Sequence, residues 1–498
     1  MGFVENILIN YRWVFVCLFL LPVSLFYNIW FYCRNLIVFK LSSAPTQHQK
    51  KLQFVQKQII DWNNNGRVTK MCTARPGWQT MSFRRPLYKK HMTNIEVNLV
   101  DILEVDVQRR IVRVEPMVSM GQLTATLNPL GWTIPILPEI DDLTVGGLVM
   151  GTGIESSSHI YGLFQHICIS YELVLCDGRI VKCSAENESD LYWSVPWSYG
   201  TLGILTAVEI KMIPAKQYIQ LVYEPVFGID NIVQKFSEAS NNKQNEFVEV
   251  LIYSENEAVL MTGVQTDSLE SDKLNSIGRW YKPWFFKYVQ EKLKSNTITT
   301  EYIPLRAYYH RHTRSLFWEL QDIIPFGNNL VFRILFGWLV PPKVSLLKLT
   351  QTKSTKKLYE NNHIIQDMLV PVSQLKKSLQ IFQDLVNVYP IWICPFILPY
   401  NPGMVHPKNQ NQSELFVDIG LYGTPNVKTF NPRETTRNIE RHVIDSDGFQ
   451  MMYADTYMTR EEFRMMFDHS LYDELRKKMN CEQAFPEVYD KVSKSARY

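Results

Sequence analysis

The hydrophobic pattern begins with Trp13 to Cys33, a run of 21 residues without a charge. As a helix it is roughly 31 Å long, enough to cross a bilayer core. Pro22 lies inside it, which a membrane helix tolerates because neighbouring groups re-satisfy the freed carbonyl. Tyr11, Trp13, Trp30 and Tyr32 lie near its ends, where amphipathic rings favour the interface. A cleaved signal peptide is the alternative, with an apolar stretch of roughly 7–15 residues and a small-residue cleavage site. This run is longer, and small residues come only at Ser42 to Ala44. The pattern therefore predicts a retained transmembrane helix over 13–33, preceded by a short N-terminal stretch, 1–12.

Beyond the run, Leu52, Val55, Ile59 and Ile60 recur at helical spacing, and Asn63-Asn64-Asn65-Gly66 ends that helix. Short β-branched segments then alternate with turns: Asn94 to Val100, Ile102 to Val107 and Arg110 to Val114. A helix is predicted over Ser119 to Asn128. Leu173 to Leu175 and Arg179 to Cys183 flank Asp177-Gly178, the signature of a hairpin. Ala207 to Ile213 is a further strand, which Pro214 ends. The character then changes, with strands at Phe247 to Ser254, Glu257 to Thr262, Leu415 to Leu421 and Phe449 to Tyr453. Thr459-x-x-Glu462 ahead of Phe463 and Met466 is a capping box. Leu330 to Val340 is apolar apart from Arg333. It is too short to span a bilayer, and its length favours a core helix over an interfacial segment. The whole is α+β, with one domain over 39–215 and a second over 216–498 whose last part packs back on the first.

Composition is that of a globular chain: 46% hydrophobic and 20% charged over 498 residues. A net charge of +3 gives no reason to expect nucleic acid as a partner. Aromatic residues reach 13%, which implies either an aromatic-rich core or a pocket for a large flat ligand. Arg12, with Glu5 nearby, precedes the apolar run. Arg34, Lys40, Lys50, Lys51 and Lys57 follow it, with no acid before Asp61. The positive-inside rule then places the long C-terminal part in the cytosol and residues 1–12 in the lumen. Eight cysteines without a CxxC pair fit a reduced compartment, and no metal is expected. Asn187 and Asn411 match the glycosylation pattern, which is idle in the cytosol.

The sharpest motif is Thr144, Val145, Gly146, Gly147, Leu148, Val149, Met150, Gly151, Thr152, Gly153, Ile154, Glu155, Ser156. Glycines this dense let main-chain N–H groups approach a ligand, above all a phosphate. A cluster of β-turns is the structural alternative. A Rossmann fingerprint is excluded, because Ser156 stands where the third glycine belongs and the segment upstream is proline-rich. A second loop, Ala74-Arg75-Pro76-Gly77, offers N–H groups and a guanidinium, although alone it also reads as a plain Pro-Gly turn. A third, Tyr199 to Thr206, carries Gly200, Gly203 and Ile204 ahead of a strand.

These loops, in this order around the hairpin and with Glu188 to Trp193, resemble the FAD-binding domain of the vanillyl-alcohol-oxidase type. The resemblance implies that the first two loops hold the pyrophosphate and the flavin ring, and that the third reaches the adenine side. Many members carry a flavin-linking histidine after the glycine of the Ala74–Gly77 loop. This chain has Trp78 there, which implies non-covalent FAD. Tyr302 to Arg314, Phe317 to Asn329, Tyr389 to Phe396, Phe449 to Asp455 and Ala484 to Lys491 are similar to the sterol side-chain (delta-24) reductases. That likeness implies FAD, NADPH as donor, a desmosterol-like substrate, and residence in the endoplasmic reticulum membrane or the Golgi. It also implies association with other sterol-pathway enzymes. Another flavin oxidase or dehydrogenase on the same fold, or a non-catalytic sterol-binding scaffold, remains open at this stage.

An isolated alkene has no carbonyl to accept electron density, so its reduction needs a proton donor beside the flavin and a dry pocket. Tyr453, Asp455 and Tyr457 alternate, so on a strand they share one face. They are the candidate acids, against the alternative of a polar face turned to water. His310, Arg311, His312 and Arg314 form a basic cluster. It is either a solvated surface or a site for the extra phosphate of NADPH.

Overall fold

A computed structural model describes residues 11–75, 87–348, 352–408 and 412–497. Pro76, Gly77 and Trp78, the glycosylation match at Asn411 and most of the 1–12 stretch lie outside the described residues.

The apolar run is part of one helical stretch, Arg12–Lys40, long and apolar enough to cross a membrane. It does not stand clear of the folded body: Val16, Leu20, Leu21 and Ser24 are buried against it. The next helix, Ala44–Asn64, buries His48, Leu52, Val55, Ile59 and Trp62, a stripe of the spacing expected for one face. Ile60 lies off that stripe and is exposed. His48 bridges Glu115 at 2.8 Å and Glu172 at 3.0 Å, which fixes this helix on the first sheet.

That sheet has five antiparallel strands in the order Ile102–Asp106, Ile111–Val114, Ile204–Lys211, Cys168–Val174, Ile180–Ser184. The hairpin turns at Gly178, whose φ of +87° suits glycine. Two expectations shift in this half. Only Asn94 and Ile95 of the 94–100 segment pair, in parallel with Cys72 and Thr73. Pro214 does not simply end a strand: Ile213–Pro214 pairs with Trp132–Thr133 in a two-residue ribbon, an edge position where a missing N–H is tolerated.

The second sheet begins at Tyr218 and is antiparallel throughout. Its order is Thr299–Pro304, Tyr218–Phe227, Glu257–Thr266, Phe247–Ser254, Ile391–Leu398, Glu414–Gly423, Ile364–Pro371, Phe449–Gln450. The Phe449 to Tyr453 strand is shorter than expected. Phe449–Gln450 is an edge strand, Met451 gives a last N–H to Asp367, and the chain then turns at Met451–Ala454. The capping box forms: Thr459 Oγ1 accepts from the Glu462 N–H at 3.2 Å, and Glu462 accepts from the Thr459 N–H at 2.7 Å. The chain's last part returns to the first half, where Arg476 bonds the Thr201 carbonyl at 2.8 Å and Tyr472 shares a proton with Thr201 at 2.6 Å.

The 330–340 segment overturns the core-helix expectation. Helix Leu330–Phe336 buries no side chain, and Leu330, Val331, Ile334, Leu335 and Trp338 are exposed.

Candidate functional site

Residues from both halves line a cavity of about 550 Å³, within the ordinary range for ligand sites. One wall is the glycine-rich segment. Thr144 precedes helix Val145–Gly151, which buries Val145, Leu148 and Val149 beneath it. The glycines divide by what a side chain would meet. At Gly146 and Gly153 a Cβ would collide with Pro116 at 2.7 Å and Leu148 at 2.6 Å, so these two keep the backbone packed. At Gly147 a Cβ would approach only the Thr144 hydroxyl, at 3.2 Å, and at Gly151 the Tyr199 hydroxyl, at 3.1 Å. Both of these line the cavity, as do Thr144, Leu148, Thr152, Gly153 and Ile154. Thr152 has φ +81°, uncommon for a β-branched residue, and is pinned by its hydroxyl to Gln165 at 2.7 Å.

Cations gather at this wall. Arg75 reaches the Thr144 hydroxyl at 3.2 Å, and Lys89 holds the Thr73 and Arg75 carbonyls at 2.7 and 2.8 Å. Lys491, from the chain's last part, donates to the Tyr199 carbonyl. Burial, then repulsion from Lys89, lowers its pKa to about 8. An anion placed here restores the ammonium's stability. Phe317, Trp392 and Tyr422 form an aromatic side, with ring centres 5.4 Å apart from Phe317 to each of the others. Backbone without side chains, three cations and an aromatic flank fit a dinucleotide carrying a flat ring system.

Not every expected cofactor residue is here. Met150, Glu155 and Ser156 are not among the lining residues. Nor are Gly203 and Ile204: a Cβ at Gly203 would meet the Val174 carbonyl at 3.1 Å, and Ile204 is buried. Their place is the packing of one strand on its neighbour.

Another part of the lining is acidic. Tyr453, Asp455 and Tyr457 all line the cavity, but they arrive by a turn and not by strand alternation. Asp455 pairs with Lys494 at 2.6 Å. Tyr453 donates to one oxygen of Asp367, and Tyr422 donates to the other. The sequence reading missed Asp367, Asp418 and Tyr422. Asp367 faces Gly420 across the ladder, and Asp418 lies two residues from Gly420, so both carboxyls share one face of adjacent strands. Gly420 makes room for the phenol of Tyr422, which a Cβ there would meet at 2.8 Å. Burial lifts the pKa of Asp367 to about 6. Burial and the neighbouring Asp367 raise that of Asp418 well above its usual value, and its Oδ1 has no hydrogen-bond partner. Burial of two neighbouring carboxyls favours their protonated forms. Strand alternation around Asp367 and Asp418 was the available signal.

The basic cluster is not a surface. Arg311 is fully buried, bonded to Glu249 at 2.7 and 2.8 Å and to Glu155 at 2.9 Å. His312 is buried against Phe317, and Arg314 is taken up by the carbonyls of Ile277, Arg279, Trp280 and Lys282. No site for the NADPH phosphate exists there. Glu139, in the cavity wall 3.9 Å from Arg311, has its pKa raised well above the carboxylate range by burial and by Glu155. Arg311→Met leaves two buried carboxylates unpaired and is expected to cost about 3–5 kcal/mol, read as a lowered guanidinium midpoint of the detergent-solubilised chain. An unchanged midpoint would show that the network is energetically idle.

Residues 73–184 match the FAD binding domain family, so the class of protein is a flavin-binding one. The chain is 61% identical to the Delta(24)-sterol reductases of Rattus norvegicus and Homo sapiens over 494 residues, 99% of this chain and 96% of each relative. It is 44% identical over 508 residues to the Delta(24)-sterol reductase homolog of Caenorhabditis elegans, 99% of this chain and 97% of that one. The chain belongs to the Delta(24)-sterol reductase family.

Proposed function

We propose that this protein reduces the double bond between carbons 24 and 25 of a sterol side chain, with non-covalent FAD as carrier and NADPH as donor, at the endoplasmic reticulum membrane or the Golgi. The observation that supports it best is one cavity lined both by a glycine-and-cation segment and by a tyrosine–carboxyl set. FAD, once bound and reduced, supplies the hydride equivalent. Arg75, Lys89 and Lys491 would offset its diphosphate charge, and Gly147 and Gly151 would let the backbone approach it.

The alkene accepts a proton at carbon 24 and a hydride at carbon 25. Tyr453 is the proposed donor. While Asp367 is ionised, the phenol hydrogen of Tyr453 is committed to it. When Asp367 is protonated it donates to the Tyr453 oxygen, which frees the phenol hydrogen for the alkene. Burial of Asp367 favours that protonated state. The aromatic side and the apolar glycine segment keep water from the tertiary cation at carbon 25. Asp455, paired with Lys494, and Tyr457 position the wall and are not proposed as donors.

The test is anaerobic. Purified yellow protein should bleach with NADPH and recover its colour on adding desmosterol, with the saturated sterol as product. Bleaching reversed by oxygen but never by desmosterol points instead to an oxidase. Sterol binding without bleaching points to a scaffold.

A further inference from the structure

We propose that the Arg12–Lys40 helix lies in the plane of one phospholipid leaflet, flat against the body, and forms a single lipid-facing surface with residues 280–281 and 330–338. The first ground is where the helix is tied. Arg12 donates to the Leu347 carbonyl at 3.2 Å and Arg34 to Asp101 at 3.1 Å. The rise from Arg12 to Arg34 is roughly 33 Å, about the thickness of a hydrocarbon core. Both ends of a bilayer's width are thus fastened to one folded body.

The middle is fastened too. The Lys343 N–H donates to the Ser24 hydroxyl at 2.8 Å, and the Lys343 ammonium lies 5.2 Å from the Tyr27 ring centre while paired with Asp142. A helix crossing perpendicular to the bilayer would carry this ion pair to the depth of the acyl chains. The desolvation cost opposes that arrangement.

The second ground is what the free faces present. Leu18, Phe19, Val23, Phe26 and Trp30 are 52–70% exposed, on the side of the helix away from Val16 and Leu20. Ile334, Leu335 and Trp338 are 51–55% exposed. The two patches are continuous: the Phe326 ring meets Trp13 edge-on at 5.1 Å and Phe332 at 5.3 Å. Arg314 holds the Trp280 carbonyl and Arg333 the Tyr281 carbonyl, so these exposed rings sit at the same margin. An apolar surface this broad is foreign to a face turned to water. No acid occurs from Asn6 to Ile60 or from Ile323 to Lys343, so the sequence of this surface places no carboxylate against an anionic leaflet.

The sterol consequence rests on the function proposed above; the geometry does not. Val344, one residue past the Lys343 that bonds Ser24, lines the cavity. A leaflet sterol meeting this seam has only that segment between it and the site.

The test uses the full chain in sealed microsomes with the body outside, in a Cys33→Ser background that removes the exposed native thiol. Tyr11→Cys and Gln47→Cys, both at exposed positions flanking the helix, are treated with an impermeant maleimide. Ile334→Cys carries an environment-sensitive fluorophore. In-plane binding predicts that positions 11 and 47 are both labelled from outside, and that the 334 probe is blue-shifted and quenched by lipid-borne nitroxide. Labelling at 11 only after detergent opens the vesicles overturns the proposal in favour of a spanning helix. A 334 probe that reports water overturns the shared surface. Neither readout involves flavin or sterol reduction, so a failure here is distinct from a failure of the proposed activity.

Discussion

Tyr453→Phe should retain its yellow colour and its bleaching by NADPH, yet recover colour with sterol about 10²–10⁴-fold more slowly than the parent, the usual loss when a positioned acid is removed. The phenol lines the cavity and donates to Asp367, and phenylalanine keeps the ring while deleting the proton. Sterol-dependent reoxidation followed by stopped-flow absorbance at the flavin band reads this step apart from reduction. Its pH dependence carries the second half of the argument. The folded pKa of Asp367 is raised to about 6 by burial, so the proton-loaded form prevails below that pH. As pH rises through about 6 and beyond, the loaded fraction falls about tenfold per unit, from the definition of a pKa. Reoxidation should fall with it, and Asp367→Asn should flatten the profile. A Tyr453→Phe variant that reoxidises at the parent's rate would remove Tyr453 from the chemistry.

Gly151→Val should yield folded protein without flavin absorbance. The new Cβ meets only the Tyr199 hydroxyl, at 3.1 Å, the far end of a side chain that can shift, while the valine methyls project into the cavity. Gly153→Val is the contrasting case. Its Cβ strikes Leu148 at 2.6 Å and Pro138 at 2.9 Å, so the expected result is destabilisation of the fold by about 1–3 kcal/mol. Absorbance spectra at equal protein concentration, with circular dichroism as the control for folding, separate the two. Full flavin content in Gly151→Val would detach this wall from the cofactor.

What could be read from the sequence follows from how local each signal is. The Ala44–Asn64 helix, the 177–178 hairpin and the Thr459 capping box are set by residues within a few positions of one another, and periodicity or turn chemistry reports them. The glycine segment was visible as a motif, but its division was not. Gly146 and Gly153 face Pro116 and Leu148, contacts that depend on how distant segments stack. The acidic wall was half legible. Tyr453 was found because it alternates with Asp455, though the strand invoked for it ends at Gln450. Asp367 and Asp418 came together only through the ladder register, a pairing across some fifty residues. The 310–314 cluster was misread because charge suggests surface. Glu155 and Glu249, which lie far off in sequence, neutralise Arg311 in the interior. The 330–340 segment was misjudged because length alone cannot tell a helix covered by protein from one covered by lipid.

The return of the chain's last part to the first half bears on how the holoprotein is made. Synthesis delivers the glycine segment early, yet Lys491 and Lys494 complete the same cavity. A nascent chain lacking them offers a diphosphate at the glycine wall a cradle without the Lys491 ammonium, and leaves Asp455 without Lys494. Cofactor loading therefore belongs after residue 494 has emerged from the ribosome. A ribosome stalled before Lys491 should hold a domain that is folded and colourless.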